Sequence, residues 1–160
     1  MRGPKATILA IALAMASSLL GQDQVKENSL YAKALFASIS EMQKQYGNQK
    51  EAPDYRHTLV ESDAQITNGL PAASADYRVE YLDTKEQVVR YQKLKREFPI
   101  LKIFPIENEG GKLRVGINVY HFSYKGGRLL YALSYWSSVE FRFDCGKQEF
   151  VVSSVKLGGI

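Results

Sequence analysis

The chain has 160 residues, and its 21 basic and 17 acidic side chains give a net charge of +4. This size suits one domain that can bury a sizeable core. Arg2 and Lys5 belong to the N-terminal segment discussed next. Without them the chain has 19 basic and 17 acidic residues, an excess too small to indicate nucleic-acid or anionic-membrane binding. The single cysteine excludes a disulfide framework within the chain. Together with two histidines it cannot supply a usual structural zinc site.

The first residues follow the pattern of an export signal. Two basic residues precede residues 6–20, which carry no charge, and a polar stretch follows. This order is typical of a secretory signal peptide, and the apolar run is shorter than the roughly 20 residues that span a bilayer. Small residues permit cleavage after Ala16 or after Gly21, and we favour the second. The sequence therefore predicts a signal peptide over residues 1–21 and one secreted or periplasmic domain over residues 22–160, with membrane contact during export alone.

The first predicted element of this domain is a helix over residues 29–46. Asn28 or Ser29 can cap its first turn, and Gly47-Asn48 can end it. Its apolar residues recur every three or four positions and form one core-facing stripe, namely Tyr31, Leu35, Ile39, Met42 and Tyr46.

Two strands and a second helix are predicted next. Residues 57–67 and 76–82 have the pattern of strands and flank a turn-rich segment. Asp83 and Glu86 fit the start of a helix, and Pro99 is expected to end it. The apolar stripe of this helix is Val88, Tyr91, Leu94 and Phe98.

The last third of the chain predicts a meander of antiparallel strands connected by glycine turns. The three turns are Gly110-Gly111, Gly126-Gly127 and Cys145-Gly146. If the last of these is a two-residue loop, Phe141 lies opposite Phe150 and Val139 lies opposite Val152. Apolar side chains then meet across the two strands, as cross-strand energetics prefer.

The strand that precedes Gly126-Gly127 changes phase. Its apolar residues fall on odd positions from Leu113 to Val119, and on even positions from Tyr120 to Tyr124. We predict one extra residue near Val119 and Tyr120, a β-bulge that bends the sheet and brings these apolar residues onto one face. A strictly regular strand would instead need both of its faces covered.

These elements predict an α+β fold, a bent antiparallel sheet packed by two helices, with a C-terminal four-strand meander plus two earlier strands. The element order over residues 29–157 resembles the nuclear-transport-factor-2-like cone fold, which implies helices that close the concave face of a curved sheet. That superfamily includes isomerases, dehydratases and non-catalytic binding domains, so the resemblance leaves the activity open. The acid–base Asp and His typical of its enzymes match no position of this chain.

A cystatin-like sheet around a helix is the alternative fold. Gln87 to Tyr91 resembles the Gln-x-Val-x-Gly loop of cystatins, but Tyr91 stands where that loop has glycine, and the segment also predicts a helix. We therefore do not expect protease inhibition. The chain also resembles small exported proteins of unknown function from Gram-negative bacteria.

No catalytic set can be assembled from the sequence. His57 has no visible partner, and a nucleophilic Cys145 would need His121 within hydrogen-bond reach, which nothing in the sequence provides. The motifs of zinc proteases, serine hydrolases, phosphate-binding loops and calcium loops are missing. We assign no catalytic residue, no metal ligand and no cofactor.

Aromatic residues crowd the last strands. Tyrosines that point inward can line a cavity, where the ring packs and the hydroxyl orients a guest. The candidate lining of such a ligand cavity is Tyr120, Phe122, Tyr131 and Tyr135. If the sheet instead presents an apolar patch to a partner protein, Leu130 and Trp136 are its expected centre. A tyrosine-rich core with hydroxyls at its rim would produce the same pattern.

These observations favour an exported, non-enzymatic binding or interaction domain that holds a small apolar ligand or a protein partner. The alternative is a cone-fold enzyme of isomerase or hydrolase type, with a buried acid or base among the tyrosines. A purely structural domain is the third possibility. A cavity with a titratable group would favour the enzyme, whereas a filled core would exclude both the enzyme and the small-ligand hypothesis.

Overall fold

A computed structural model describes residues 29–49 and 53–159 of the chain. The predicted signal peptide over residues 1–21 lies outside the described residues. Within the described ranges, no helix is long and apolar enough to cross a membrane.

The first helix, α1, extends over Leu30–Tyr46. Ser29 caps it, because its Oγ accepts a hydrogen bond from the backbone N–H of Ala32 at 3.1 Å. The predicted apolar stripe is the buried face of the helix, with Leu35 and Ile39 fully buried. The sequence prediction for this helix is confirmed.

Three strands follow α1. They are β1 His57–Glu61, β2 Ala73–Ser74 and β3 Tyr77–Leu82. Strand β1 pairs in parallel with β3, and β2 pairs antiparallel with β3. The first strand ends earlier than predicted, because Asp63 begins a turn in which its Oδ1 accepts a hydrogen bond from the backbone N–H of Gln65 at 2.8 Å.

The second helix, α2, extends over Thr84–Leu94. It begins at the predicted residues with a capping box, since Asp83 Oδ1 accepts from the backbone N–H of Glu86 and Glu86 Oε2 accepts from the backbone N–H of Asp83, both at 2.8 Å. Lys95 ends the helix in a left-handed conformation, with φ at 56°. The helix is therefore shorter than expected, and Phe98 belongs to the next strand.

The rest of the chain forms five strands. They are β4 Phe98–Ile103, β5 Glu107–Glu109, β6 Lys112–Lys125, β7 Arg128–Asp144 and β8 Glu149–Gly159. The sheet order is β2-β3-β1-β4-β6-β7-β8, with β5 paired to β6. Pairing is parallel for β1 with β3 and with β4, and antiparallel elsewhere. The predicted α+β class, two helices on a mostly antiparallel sheet, is confirmed.

The register between β6 and β7 shifts where the sequence predicts a bulge. Val119 pairs with Tyr135, whereas Tyr120 pairs with Leu133, so the extra residue is Ser134 on β7. Strand β6 itself alternates regularly, and its two apolar sets point to opposite sides of the sheet. A register shift at the predicted position is confirmed, but the extra residue is on β7 and not on β6 as predicted, and the expectation that both sets share one face is wrong.

Each side of the sheet is covered by its own helix, and we name the sides the α1 face and the α2 face. The larger core lies on the α1 face and joins α1 to the strands, with Ile39, Val115 and Val139 among its buried residues. The smaller core lies on the α2 face and consists of Phe98, Ile100 and Phe122, with side chains of α2 packed against it. Because β6 contributes to both cores, both phases of its apolar pattern are buried.

The last hairpin has a longer loop than the predicted two-residue turn. Phe141 pairs with Val152 rather than with Phe150. Residues 145–148 form the loop, and Asp144 Oδ1 accepts hydrogen bonds from two of its backbone N–H groups, at 2.9 and 3.1 Å. The predicted register is wrong, because this side-chain-capped turn replaces the glycine turn.

Candidate functional site

A cleft lies beside the contact between β1 and β4. These two strands share one paired position, Val60 with Leu101. Pro99, a β4 residue of the cleft, has no N–H to donate to a strand ladder. The cleft has a volume of about 460 Å³, within the size range of small-molecule sites, and its lining comes from β1, β3, β4, α2 and the segment before β1.

Apolar side chains from both strands and their neighbours form much of the cleft lining. They are Pro53, Tyr55, Leu59, Val79, Pro99 and Leu101. Tyr55, Val79 and Leu101 also belong to the main core, so this part of the lining is held rigidly. Burial of an apolar ligand against it would contribute about 25 cal/mol for each Å² removed from water.

Two titratable side chains of the cleft lie beside each other. Nδ1 of His57 is 3.3 Å from Oδ2 of Asp54, so the structure supplies the partner that the sequence did not show for His57. The backbone N–H of Arg56 donates to Asp54 Oδ1 at 3.0 Å, and this bond, with His57 beside it, lowers the pKa of the Asp54 carboxyl. The two side chains are 71% and 63% exposed, so their contact contributes little to stability.

Two arginines also line the cleft, and they differ in their partners. Arg90 of α2 donates a hydrogen bond to Glu80 of β3, and the two charges form an ion pair. Arg78 of β3 is exposed. Among the side chains that the structure describes around this cleft, no carboxylate forms an ion pair with Arg78.

This arrangement can bind more readily than it can catalyse. An apolar lining beside a guanidinium without a carboxylate partner among the described residues suits a ligand with an apolar body and an acidic group. The imidazole of His57, next to a carboxylate, could exchange a proton with such a ligand. Over residues 29–49 and 53–159, no three His, Cys, Asp or Glu side chains are grouped so that they could hold a metal ion.

Three of the four residues predicted to line a cavity lie together on the α2 face. The ring centroids of Tyr120 and Tyr131 are 6.0 Å apart and those of Phe122 and Tyr131 are 5.3 Å apart, both edge to face. Tyr135 lies on the α1 face, where it stacks on Tyr46 at 4.7 Å. The cleft and two further cavities, one along α2 and one after β1, are lined by other residues.

A buried polar network holds Tyr131 in place. Its hydroxyl donates to Gln87 Oε1 at 2.9 Å, and Gln87 Nε2 donates to the backbone carbonyl of Leu82 at 3.1 Å. Gln87 is fully buried, so the two bonds satisfy both ends of its amide. Burial, with the Glu61 carboxylate nearby, raises the pKa of Tyr131. The hydroxyl thereby links β7 to α2.

The two residues predicted to contact a partner protein lie on opposite faces of the sheet. Leu130 and Trp136 are 44% and 39% exposed, but the Ser134 bulge between them reverses the alternation of β7. Leu130 is therefore on the α1 face, and Trp136 is on the α2 face. The Trp136 ring lies on Gly158 of β8, so closely that a Cβ on Gly158 would meet it. The two residues do not form one patch.

The remaining candidates stay apart. Cys145 is a free, exposed thiol in the loop after β7. His121 pairs with Ala132 near the other end of β7 and with Pro99 of β4. The structure therefore does not bring this thiol and this imidazole together.

Sequence reasoning did not single out Asp54, Arg78 or Arg90. The spacing of Asp54 and His57 was an available signal, because an acid three residues before a histidine in a turn can reach its ring. Nothing local marks the two arginines. They reach the cleft through the parallel pairing of β1 with β3 and through the packing of α2.

No family model, no curated protein and no solved structure matches the chain. The resemblances to the cone and cystatin folds therefore stay predictions. Since a fold alone does not determine an activity, the chemistry of the cleft is what bears on function.

Proposed function

We propose that the protein is a non-enzymatic binding domain whose ligand occupies the cleft beside β1 and β4. The observation that carries the proposal is one cleft of about 460 Å³ that combines an apolar lining with the guanidinium of Arg78, which pairs with no carboxylate of the described residues. A small molecule with an apolar body and an acidic group matches both features.

The charges in the cleft favour an anion over a cation. Its two carboxylates are already engaged, Asp54 with His57 and Glu80 with Arg90. Arg78 is the cation left without a counter-charge among the lining residues that the structure describes. Its planar guanidinium can hold a carboxylate or sulfonate through two parallel hydrogen bonds.

A pair of fluorescent probes tests this proposal. Anilinonaphthalene sulfonate carries an apolar ring system and one anionic group, and phenylnaphthylamine is the same ring system without the charge. Each probe is titrated into the full chain, into Arg78→Gln, and into Arg142→Gln as the matched control. Arg142 is an exposed arginine of β7 outside the cleft.

We expect Arg78→Gln to bind the sulfonate about 10-fold more weakly or worse, since hydrogen bonds to charged groups contribute about 1.5–3 kcal/mol. Binding of the neutral probe should change little, and Arg142→Gln should behave as the parent chain. Equal losses in the two variants, or no binding of either probe by the parent chain, would contradict the proposal.

An acid–base enzyme is the second candidate, and the 3.3 Å contact between His57 and Asp54 favours it. In that case Asp54 would orient the imidazole, and the other ring nitrogen would transfer a proton of the bound molecule. The experiment is to incubate bound acids with the parent chain and with His57→Gln and to analyse them by mass spectrometry and proton exchange. Conversion or deuterium uptake that needs His57 would favour the enzyme, and unchanged ligand would favour the binding domain.

We further propose that the protein is exported and acts outside the cytoplasm. The support is the basic head, apolar run and polar boundary of residues 1–23. In a Gram-negative host, the chain recovered from the periplasm should begin at Gln22, as read by N-terminal sequencing. A chain that stays in the cytoplasm and begins at Met1 would contradict this proposal.

A further inference from the structure

Strand β7 is flanked on both sides along only part of its length. Strand β8 pairs with β7 from Tyr135 to Asp144, and β6 pairs with it from Arg128 to Phe141. Residues 128–134 therefore have β6 on one side, and no strand of the described residues on the other. Alternate N–H and C=O groups of such an edge point away from the sheet and can accept another strand.

We call residues 128–134 the free edge, and this edge is apolar on both faces of the sheet. Leu129, Leu130 and Tyr131 are 40%, 44% and 37% exposed. Leu129 and Tyr131 point to the α2 face, whereas Leu130 and Ala132 point to the α1 face, as their pairing with β6 requires. Natural edge strands are usually protected by charges, prolines or a covering element. Here the strand residues carry one charge, at Arg128.

We propose that a second copy of this chain pairs with the free edge, antiparallel and about a two-fold axis, so that one sheet runs through the dimer. The axis passes beside Tyr131, which faces Tyr131 of the other copy. Leu129 of each copy then lies opposite Leu133 of the other. Leu130 lies opposite Ala132. Apolar side chains meet apolar side chains on both faces of the new ladder.

The sequence of the edge selects this register. Residues that lie opposite each other in a ladder must point to the same face of the sheet. In an antiparallel pair about a two-fold axis, this requires one residue to lie opposite the same residue of the other copy. A centre at Tyr131 uses the whole free edge, residues 128–134. A centre at Leu130 would pair only residues 128–132, and a centre at Leu133 would run into positions of β7 that already pair with β8. The run Leu-Leu-Tyr-Ala-Leu is also apolar in either direction.

The symmetric pairing closes on itself, which argues for a dimer over a filament. An isologous contact uses the same edge on both copies, so residues 128–134 of neither copy remain open to a third one. A parallel pairing of the same strands would break the two-fold symmetry. The proposal does not depend on the ligand cleft, because β1 and β4 lie on the other side of β6.

The mass of the full chain in solution tests the dimer. We expect light scattering and sedimentation to give about twice the chain mass of 18.0 kDa. Leu130→Glu places a carboxylate opposite Ala132 of the partner and should weaken the dimer roughly 100-fold or more, because an unpaired charge would be buried. Val89→Glu is the matched control, since Val89 is 63% exposed on α2 and remote from the edge. A monomeric parent chain, or equal effects of the two variants, would overturn the proposal.

Crosslinking tests the register independently of the affinity. In a Cys145→Ser background, Tyr131→Cys should form an intermolecular disulfide under mild oxidation, because directly opposed residues lie about 4.5–5.5 Å apart, within reach of a disulfide. Leu129→Cys should not, because residue 129 faces residue 133 of the other copy. Crosslinking at 129 without crosslinking at 131 would overturn the register and with it the two-fold pairing that we propose.

Discussion

On the α1 face of the sheet, one continuous core includes side chains from α1 and most of the strands, and α1 buries six of its residues. On the α2 face, the core has three buried residues, and α2 buries only Gln87. Both helices have an amphipathic sequence, yet α2 leaves Val89 63% exposed. The same kind of amphipathic pattern can therefore produce either a helix buried in the core or a helix with few buried residues on the sheet surface.

The two helices are consequently held by different forces. Apolar packing holds α1 in place, and its cap at Ser29 adds a local contribution. For α2, the capping box and the hydrogen bond between Tyr131 and Gln87 contribute a larger share of the stabilisation. We expect the stability of the protein to be most sensitive to changes on the α1 face.

Truncation of one apolar residue on each helix provides the strongest test of this difference. Leu35→Ala should lower the free energy of unfolding by about 2–5 kcal/mol, because Leu35 is fully buried and leaves a cavity. Val88→Ala should cost about 1 kcal/mol, because Val88 is only partly buried against the small core. Urea titrations of both variants give the two values, and equal losses would contradict the comparison.

Two glycines of the α2 face allow a test of intermediate size. A Cβ on Gly158 would overlap the Trp136 ring, whereas a Cβ on Gly116 would lie 3.8 Å from Phe104, an ordinary contact. Gly158→Ala should displace the ring and cost about 1–3 kcal/mol, as overpacking usually does. Gly116→Ala is the matched control and should be nearly neutral.

The chain has a single tryptophan, so its emission spectrum reports on this displacement directly. We expect a red shift in Gly158→Ala, because the displaced ring loses its contact with β8 and becomes more exposed to water. The spectrum of Gly116→Ala should match that of the parent chain. A red shift in both variants would show that the close contact at Gly158 is not its cause.

Two tyrosines of the α1 face give the smallest expected effects, with opposite signs. The hydroxyl of Tyr55 is buried and has no hydrogen-bond partner among the described residues, whereas the hydroxyl of Tyr81 donates to the carbonyl of Pro71 at 2.9 Å. Tyr55→Phe should therefore be neutral or stabilising, and Tyr81→Phe should cost about 1 kcal/mol. Urea titrations at pH 7 measure both, and a large loss in Tyr55→Phe would contradict the assignment.

The same two tyrosines also make the stability of the protein depend on pH in the alkaline range. Burial raises the pKa of Tyr55 to about 12, and it raises the pKa of Tyr81 to about 12. The folded chain thus favours the neutral phenol over the phenolate. The contribution of these two phenols to the free energy of unfolding is complete below the unfolded pKa of about 10, and it is lost as the pH rises through about 12. The parent chain should lose stability over this window, and Tyr55→Phe should lose less.

The sequence predicted those parts of the fold that depend on local chemistry. The stripe of α1, the cap at Ser29, the capping box at Asp83 and the position of the bulge near Val119 are all present. The strand that carries the bulge was predicted wrongly, because the phase change of β6 reflects burial of both its faces and not an extra residue in it. The register of the last hairpin was predicted wrongly, because the Asp144 side chain caps a loop over residues 145–148 in place of the two-residue turn at Cys145-Gly146.

The candidate site was less predictable than the fold. His57 was considered in the sequence, but its neighbour Asp54 was not, and Arg78 and Arg90 carry no local signal. Their proximity depends on the parallel pairing of β1 with β3 and on the packing of α2 beside these strands. Such long-range arrangements follow from tertiary packing, which a hydrophobic pattern does not encode.

The helix that begins the described chain packs against the strand that ends it. Lys33 of α1 donates to Glu149 Oε2 at 2.6 Å and to the backbone carbonyl of Phe150 at 2.9 Å, both on β8. A ribosome would therefore complete α1 long before it had made the surface on which α1 rests. Until the last hairpin emerged, the apolar face of α1 would lack the part of its cover that β7 and β8 provide. We expect a chain truncated before β8 to aggregate or to need a chaperone.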